Sequence, residues 1–214
     1  MDQSRIGIYV SSLDSEDPLW LRKLHDRCKE EEVPIIRDDM KMLLKYLMAV
    51  HSFDKILEIG TAVGYSSLVI AEYGASCEIT TIENYPPRFE EAKNNISESK
   101  YSERIRLLFG DAAEVIGALD PKEQFDFVFM DAAKGQYINI LPLILSHVKT
   151  GSVILTDNCF FDGDIIESRY LVKRRNRTIH KRMREYLYEI THNDRLKSVI
   201  LPVGDGAAVS TVIK

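Results

Sequence analysis

The sequence is short of the features that mark several classes of protein. Its 214 residues contain only three cysteines, Cys28, Cys77 and Cys159, with no CxxC pair, which argues against a disulfide framework or a zinc site. We expect free thiols, most of them buried. The longest apolar stretches, such as residues 125–130 interrupted by Asp126, fall far short of the roughly 20 residues that span a bilayer. No membrane-spanning segment is predicted.

Targeting signals and low-complexity tracts are also missing. Residues 1–10 lack the basic region and the apolar block of a secretory signal, so we expect a cytoplasmic protein. A content of 45% hydrophobic and 29% charged residues, with only 7 Pro and 11 Gly, is typical of a folded globule. The length predicts one domain over residues 1–214, with residues 1–52 as a helical N-terminal extension.

Hydrophobic patterning predicts the fold class. Apolar side chains recur at helical spacing over residues 19–32 and 38–50. From residue 55 onward, five short apolar runs alternate with helical patterns; they are KILEI, EITTIE, IRLLF, FDFVFMD and SVILTD. Strands separated by helices indicate a doubly wound α/β fold with a mostly parallel sheet. SVILPV and AVSTVI, joined by a GDG turn, predict a C-terminal hairpin that adds an antiparallel strand.

Acids and glycines follow the predicted strands at the edge where such sheets bind ligands. Glu58, Gly60 and Gly64 lie in the turn after the first strand, Glu83 ends the second strand, and Asp111 follows the third. This spacing is not the GxGxxG fingerprint, and a carboxylate before the turn suits a ligand with a cationic amino group better than a pyrophosphate. An acid that ends the second strand can accept hydrogen bonds from both ribose hydroxyls. The ordered set predicts a site for S-adenosylmethionine.

A second group of polar side chains ends the fourth and fifth strands. Asp131 follows the fourth strand, and Asp157 and Asn158 follow the fifth. Two carboxylates and an amide oxygen are hard ligands that suit Mg²⁺, although an acid at such a position often only caps the next helix. Lys134, three residues after Asp131, is expected above this group, where an ammonium can act on a reacting oxygen.

These residues stand in segments that resemble a known family. The segments are LEIGTAVGYSS, the acid of TIEN, GDA, MDAAKGQY and LTDN, and the sequence resembles the cation-dependent, catechol-type S-adenosylmethionine O-methyltransferases over nearly its whole length. The resemblance implies a Rossmann-like, seven-stranded sheet and a homodimer. The cofactor-binding residues that it implies are Met40, Glu58, Gly60, Ser66, Glu83, Ala112 and Asp131, to which the strand-end position adds Asp111. It also implies that Asp131, Asp157 and Asn158 hold Mg²⁺ and that Lys134, with Asp131, is catalytic.

Within that family the sequence looks most like the bacterial tRNA 5-hydroxyuridine methyltransferases. The segments that carry this closer resemblance are VPI at 33–35, DAAKGQY, the KRRNR run and PVGDG at 202–206. It implies methylation of 5-hydroxyuridine to 5-methoxyuridine at the wobble position of a tRNA anticodon loop. Residues 159–163, CFFDG, depart from the pattern and leave the shape of the acceptor pocket open.

One basic segment, residues 173–184, bears on the substrate. It holds seven Lys or Arg and no acid in a chain whose formal net charge is −5. Such a patch attracts phosphates, so we expect RNA contacts from Lys173, Arg174, Arg175, Arg177 and Lys181; if the segment is helical, Lys173, Arg177 and Lys181 share a face. A solvated helix face is the simpler explanation. The alternatives are a small-molecule catechol methyltransferase and a module that binds S-adenosylmethionine or RNA without turnover.

Overall fold

The computed structural model describes residues 3–214 and consists of eight helices around one sheet of seven strands, joined by short 3-10 turns. The helices are α1 (Gln3–Ser11), α2 (Leu19–Glu30), α3 (Asp38–Val50), α4 (Tyr65–Tyr73), α5 (Pro86–Ser97), α6 (Ala112–Gly117), α7 (Tyr137–Ser146) and α8 (Arg177–His192). The strands are β1 (Lys55–Ile59), β2 (Glu78–Glu83), β3 (Ile105–Phe109), β4 (Phe125–Met130), β5 (Val148–Thr156), β6 (Leu196–Leu201) and β7 (Ala207–Val212).

The strand order is β3-β2-β1-β4-β5-β7-β6. Strands β1 to β5 run parallel, and β7 pairs antiparallel with both β5 and β6. The doubly wound, mostly parallel sheet with an antiparallel C-terminal strand is therefore confirmed. Because the chain returns from β3 to the other side of β1, the order switches between β1 and β4. This switch is where sheets of this kind bind ligands, beyond the carboxyl ends of the strands.

Each face of the sheet is covered by its own hydrophobic core. Helices α2 to α5 pack on one face and α6 to α8 on the other. The central strands are almost fully buried, as in β4, where only Asp126 is partly exposed, because both of their faces contact helices. A strand with two buried faces is apolar throughout, which is why these runs could be read from the sequence.

Several boundaries differ from the sequence prediction. Helix α1 was not predicted separately within the helical extension, α2 ends at Glu30, and β5 begins at Val148. The predicted strand SVILPV begins earlier, at Leu196, and ends before Pro202, because proline has no N–H for the ladder. The helix over residues 38–50 is confirmed. The division into one domain with an extension over residues 1–52 remains a prediction, and residues 1–2 lie outside the described part.

Buried ion pairs fix the loop between α1 and α2 to α3. Lys41 Nζ lies 2.6 Å from Asp17 Oδ2, and Lys45 Nζ lies 2.8 Å from Asp14 Oδ1. Tyr73 also donates to Asp17. Burial acts to raise the pKa of Asp17, but the hydrogen bonds from Lys41, Tyr73 and Lys45 outweigh it and lower that pKa. The loop that follows α1 is thus attached to the core.

The structure bears on the cysteines and on the absence of long apolar segments noted in the sequence. All three cysteines are buried and unpaired among residues 3–214. In the same part of the chain, no helix combines the length and the apolar character needed to cross a membrane.

Candidate active site at the switch point

The turn after β1 depends on one glycine. Gly60 has a φ of +99°, and a Cβ at this position would lie 2.0 Å from the backbone oxygen of Asp131. Only glycine adopts this conformation and leaves that space. Gly60 N also donates to Ile82 O at 3.0 Å. The ends of β1, β2 and β4 are therefore held together with their backbones in contact.

A cleft of about 340 Å³ opens at this point, and we call it the strand-end cleft. Small-molecule sites in proteins begin at roughly this size. Its lining comes from the ends of β1, β2, β3 and β4 and from α7. Five predicted cofactor residues line it, namely Gly60, Glu83, Asp111, Ala112 and Asp131.

Glu83 is held at the cleft by backbone donors. Its carboxylate accepts hydrogen bonds from Ala62 N at 2.8 Å, Asn84 N at 2.9 Å and Tyr85 N at 2.7 Å. Three backbone donors fix the orientation of the carboxylate. Its remaining lone pairs are available to hydroxyl groups.

Asp111 has a structural role as well as a place in the cleft. Its side chain caps α6 by accepting from Ala113 N at 2.9 Å and from Glu114 N at 3.4 Å. Such a cap stabilises a helix by about 1 kcal/mol. The hydrogen bonds of Asp111 are therefore explained by the fold, and its contact with a ligand remains a prediction.

Three predicted cofactor residues are not among those that line the cleft: Met40, Glu58 and Ser66. Met40 is fully buried in the core on the α2–α5 face. Ser66 lies in the first turn of α4 and is also buried. A direct contact of these three residues with a ligand remains a prediction.

Glu58 is a carboxylate with no exposed surface. Its Oε2 accepts hydrogen bonds from Ser67 and from Thr81, the latter at 2.6 Å, while its Oε1 has no partner among the described residues. Burial raises the pKa of Glu58 to about 7, although hydrogen bonds from Ser66, Ser67 and Thr81 lower it in part. An orphaned buried acceptor is costly for a fold to retain. A cation or donor from a ligand would relieve it.

Asp131, Asp157 and Asn158 come together, and we call them the oxygen cluster. Asn158 Nδ2 lies 2.9 Å from Asp131 Oδ1, and Asp157 Oδ1 accepts from the backbone N of Asn158 at 2.6 Å. Asn158 has a φ of +59°, which asparagine tolerates better than most residues. Neither carboxylate caps a helix, so the capping alternative does not apply to them.

The electrostatics of the oxygen cluster favour a cation. Burial raises the pKa of Asp131, although Asn158 and Lys134 oppose the rise. Burial raises the pKa of Asp157 to about 7, and the charge of Asp131 adds to it. Two buried carboxylates close together resist ionisation unless positive charge is supplied. Among residues 3–214 no group of three or more His, Cys, Asp or Glu side chains could hold a metal ion, so an ion here would take its other ligands from the amide, water and substrate.

A second space, the acid-lined cavity, has a volume of about 840 Å³. Its walls are α1, the start of α3, the loop after β5 and the β6–β7 loop. Lining acids are Asp38, Asp39, Asp162 and Asp205. Gly204, which also lines it, lies so that an added Cβ would be 3.7 Å from Asp157 Oδ1. Since Asp131 lines the strand-end cleft, the oxygen cluster lies between the two spaces.

Lys134 lies beside the acid-lined cavity, in the 3-10 turn before α7. Its Nζ is 3.2 Å from Asp205 Oδ2 and 5.1 Å from the centre of the Phe161 ring. The positive charge of Lys134 lowers the pKa of Asp131. Sequence reasoning assigned no role to Asp205 and treated GDG only as a turn. The sequence feature that could have pointed to Asp205 is its position between two glycines, Gly204 and Gly206.

The basic segment divides into free and occupied cations. Lys173, Arg174 and Arg175 are exposed and have no ion-pair partner among the described residues. Arg177 donates to the carbonyls of Val172 at 3.2 Å and Tyr170 at 3.3 Å. Lys181 Nζ lies 3.5 Å from Glu185 Oε1.

The expected helical face is wrong at Lys173, because α8 begins only at Arg177, after a 3-10 turn over Arg174–Asn176. His180, within the same segment, is buried, and its Nε2 contacts Glu167 O at 3.1 Å.

Three contacts hold the basic segment against the rim of the acid-lined cavity. Asn176 Nδ2 donates to Asp164 Oδ2 at 3.1 Å, and Arg184 donates to Ile165 O at 3.3 Å. His180 Nε2 contacts the backbone oxygen of Glu167, two residues after Ile165, at 3.1 Å. Asp164 and Ile165 lie between Gly163 and Ile166, which both line the cavity. The free cations Lys173, Arg174 and Arg175 immediately precede Asn176 in this segment.

Comparison with known proteins decides the family. The family model described as O-methyltransferase matches residues 11–213. This chain belongs to the O-methyltransferase family. The match extends over all the elements that build the strand-end cleft, the oxygen cluster and the basic segment, which are thus parts of an O-methyltransferase.

Two curated relatives and one solved structure resemble this O-methyltransferase. A caffeoyl-CoA O-methyltransferase of Citrus natsudaidai is 28% identical over 98% of this chain and 94% of that protein. A catechol O-methyltransferase of Mycobacterium tuberculosis is 26% identical over 73% of this chain and 71% of that protein. The crystal structure of an O-methyltransferase from Bacillus cereus in complex with SAH has a TM-score of 0.84, with 22% identity and 97% of each chain covered. That structural likeness shows the fold.

Proposed function

We propose that this O-methyltransferase transfers the methyl group of S-adenosylmethionine to the 5-hydroxyl of 5-hydroxyuridine at the tRNA wobble position, with Mg²⁺ bound by the oxygen cluster. One observation carries the proposal: the oxygen cluster lies between a strand-end cleft and a separate cavity, and the segment that holds the free cations contacts the rim of that cavity through Asn176. This arrangement fits a methyl donor on one side and an acceptor on the other.

The strand-end cleft suits the donor. The fixed carboxylate of Glu83 matches the two hydroxyls of a ribose, and Asp111 and Ala112 lie at the end of β3, where an adenine edge fits. The close approach at Gly60 brings the cleft next to Asp131. The free Oε1 of Glu58 suits the ammonium of a methionine group, and Met40 and Ser66 are expected to contribute further contacts on the strength of the family resemblance.

The oxygen cluster fits Mg²⁺ on its chemistry. Its ligand atoms come from two carboxylates and an amide, and burial, together with the charge of Asp131, raises the pKa of Asp157 to about 7, so a cation would stabilise the ionised pair. When bound, Mg²⁺ supplies positive charge that favours the ionised form of an acceptor hydroxyl. Catechol and 5-hydroxyuridine each present two adjacent oxygens, so the same three residues serve either acceptor.

Lys134 and the oxygen cluster orient the acceptor hydroxyl. Lys134 takes its proton or stabilises the oxyanion. The oxygen then forms a bond to the methyl carbon as the carbon–sulfur bond breaks, and S-adenosylhomocysteine leaves with the bonding electrons. Well-oriented reactions of this kind gain roughly 7 to 11 kcal/mol from positioning. The chain contributes mainly by holding oxygen and methyl in line.

The charge distribution favours RNA as the acceptor. Four acids and Arg37 line the cavity, whereas Lys173, Arg174 and Arg175 are exposed on the segment that contacts its rim through Asn176. A nucleotide satisfies both regions when its base enters the cavity and its phosphates stay outside. Exposed Tyr170, close to these cations, offers a ring on which a base can stack.

A small-molecule catechol is the second candidate. The volume of the acid-lined cavity, about 840 Å³, accommodates a phenol without any use of the basic rim, and the relatives described above include catechol and caffeoyl-CoA enzymes. A module that binds without turnover is the third alternative. It predicts that the donor stays intact with every acceptor.

The deciding experiment offers both acceptors to the same enzyme. The purified chain is incubated with S-adenosylmethionine carrying a deuterated methyl group and Mg²⁺, and either with tRNA that contains 5-hydroxyuridine or with catechols. We expect labelled 5-methoxyuridine by mass spectrometry of the nucleosides, and none when Lys134→Ala replaces the wild type. Methylation of catechols alone would contradict the RNA proposal, and full activity in a chelator would contradict the metal.

Homodimer formation is a separate proposal that comes from the family resemblance alone. Light scattering at several protein concentrations measures it directly. A mass that stays near 24.5 kDa throughout would contradict it.

A further inference from the structure

Asp205 is a buried carboxylate to which neither the sequence nor the proposed reaction assigns a role. It lies between Gly204 and Gly206 in the loop from β6 to β7, and its side chain is 6% exposed. It lines the acid-lined cavity. A charge held in such a place needs partners, because burial without them is costly.

The partners of Asp205 fix its carboxylate in one orientation. Both oxygens accept from the backbone N of Asp162, at 2.8 and 2.9 Å, and Oδ2 also lies 3.2 Å from Lys134 Nζ. Asp205 is the only carboxylate within ion-pair distance of Lys134 in residues 3–214.

The backbone around Asp205 is equally fixed. Phe160 N donates to Asp205 O at 2.7 Å, and Cys159 N donates to Gly206 O at 2.8 Å. Gly206 has a φ of +86°, and a Cβ there would lie 2.5 Å from the Phe160 ring. The loop therefore cannot shift without disturbing the residues that follow the oxygen cluster.

Lys134 needs such an anchor. Its long side chain loses much rotamer freedom when it is held in one place, and it begins a short 3-10 turn rather than a long helix. On the other side it contacts only the face of the Phe161 ring, at 5.1 Å. The direction of its ammonium is thus set chiefly by Asp205.

We propose that Asp205 is a positioning residue that holds the Lys134 ammonium toward the acceptor hydroxyl. This inference rests on the proposed function, because Lys134 must act on that hydroxyl. Asp205 is not a member of the oxygen cluster: both of its oxygens accept from Asp162 N, and its Oδ2 faces Lys134. It acts on the rate of methyl transfer through Lys134 and leaves donor binding unchanged.

The test is a double-mutant cycle with Asp205→Asn and Lys134→Ala, run on whichever acceptor the wild type methylates. We expect Asp205→Asn to lower kcat about ten- to a hundred-fold, since a 1 Å misplacement costs about that much, with donor affinity unchanged. The double variant should lose no more than Lys134→Ala alone. Independent, multiplying losses or an unchanged kcat would overturn the proposal.

A second measurement requires no acceptor and so separates this inference from the proposed function. The side-chain ammonium signal of Lys134 is followed by nitrogen-15 NMR and assigned through Lys134→Ala. It should shift in Asp205→Asn and stay in place in Asp120→Asn, a control at an exposed position away from the cavity. An unshifted signal in Asp205→Asn overturns the contact. If that variant does not fold, Asp205→Glu, which displaces the charge by one methylene, is expected to give the same non-additive cycle.

Discussion

The strand-end cleft and the acid-lined cavity are built in opposite ways. The cleft is made of strand ends and short turns, with backbone against backbone at Gly60. The cavity is made of α1, the start of α3, two loops and four aspartates. Sheet topology therefore fixes the proposed donor side, whereas loops, which vary more readily, shape the proposed acceptor side. Substitutions on the two sides should therefore impair different properties of the protein.

The largest expected effect is on the rigid side, at Gly60→Ala. A positive φ and a Cβ 2.0 Å from Asp131 O should destabilise the fold by about 3 to 5 kcal/mol and abolish donor binding. Urea denaturation and calorimetric titration measure the two losses. The matched control is Gly117→Ala, where an added Cβ meets nothing within 4 Å; it should be neutral or slightly stabilising. Equal losses of stability and donor affinity in both variants would refute the claim that the backbone contact at Gly60 fixes the cleft.

At the boundary between the two spaces, Asp157→Ala should remove metal-dependent turnover. We expect kcat/KM to fall at least about a hundred-fold, since even changes to outer partners of metal ligands cost ten- to a hundred-fold. Donor affinity measured without Mg²⁺ should change little, because Asp157 is not among the residues lining the cleft. Turnover in a chelation series and Mg²⁺ titration by calorimetry check this. Retained Mg²⁺ affinity in the variant would count against the oxygen cluster.

Glu58 should make the stability of the strand-end region depend on pH. Its pKa is about 7 in the folded chain, raised chiefly by burial from the ordinary value of 4.5. The folded state therefore holds the proton more tightly than the unfolded state, and stability falls as pH rises from the lower value through the higher one. Between about pH 5 and about pH 8 this group should cost about 2 kcal/mol.

The measurement is urea denaturation of wild type and Glu58→Gln across that pH range. Asp157 also titrates in this window, so the informative quantity is the difference between the two proteins. We expect the difference to move in favour of Glu58→Gln as pH rises. A difference independent of pH would mean that Glu58 is not protonated in the fold.

The smallest effect is expected at the rim. Replacement of Lys173, Arg174 and Arg175 by Ala should weaken tRNA binding about ten-fold at moderate salt and reduce the salt slope by about 2, as three lost phosphate contacts require. Arg177 is left intact because it holds backbone carbonyls. The control removes three exposed lysines elsewhere, Lys23, Lys122 and Lys197. If both triple variants lose affinity equally, the rim has no special role.

The same contrast explains what the sequence could predict. Strand β1 and helix α3 were predicted with the bounds that they have, because apolar periodicity is a local signal that burial on a sheet reinforces. The chain order of strands also placed Asp131, Asp157 and Asn158 at one edge. Parallel strands bring their ends together regardless of the distance along the chain.

What escaped prediction depends on contacts between distant segments. Lys134 and Asp205 are 71 residues apart, and nothing in either segment alone indicates their ion pair. Lys173 falls outside α8 because Arg177 turns back to carbonyls of residues 170 and 172. The family position of Met40 predicts a ligand contact; the structure shows only that its side chain is buried in the core, so this contact stays a prediction. Tertiary geometry decides the first two of these cases.

The backbone contact between Gly60 and Asp131 has a thermodynamic consequence. No side chain separates the two chain segments, so a displacement of one is transmitted to the other. A ligand bound in either space therefore changes the binding free energy of a ligand in the other space. Linkage makes that influence mutual and equal in size. The affinity for the methyl donor should therefore depend on whether the divalent ion is bound, and the affinity for the ion on whether the donor is bound.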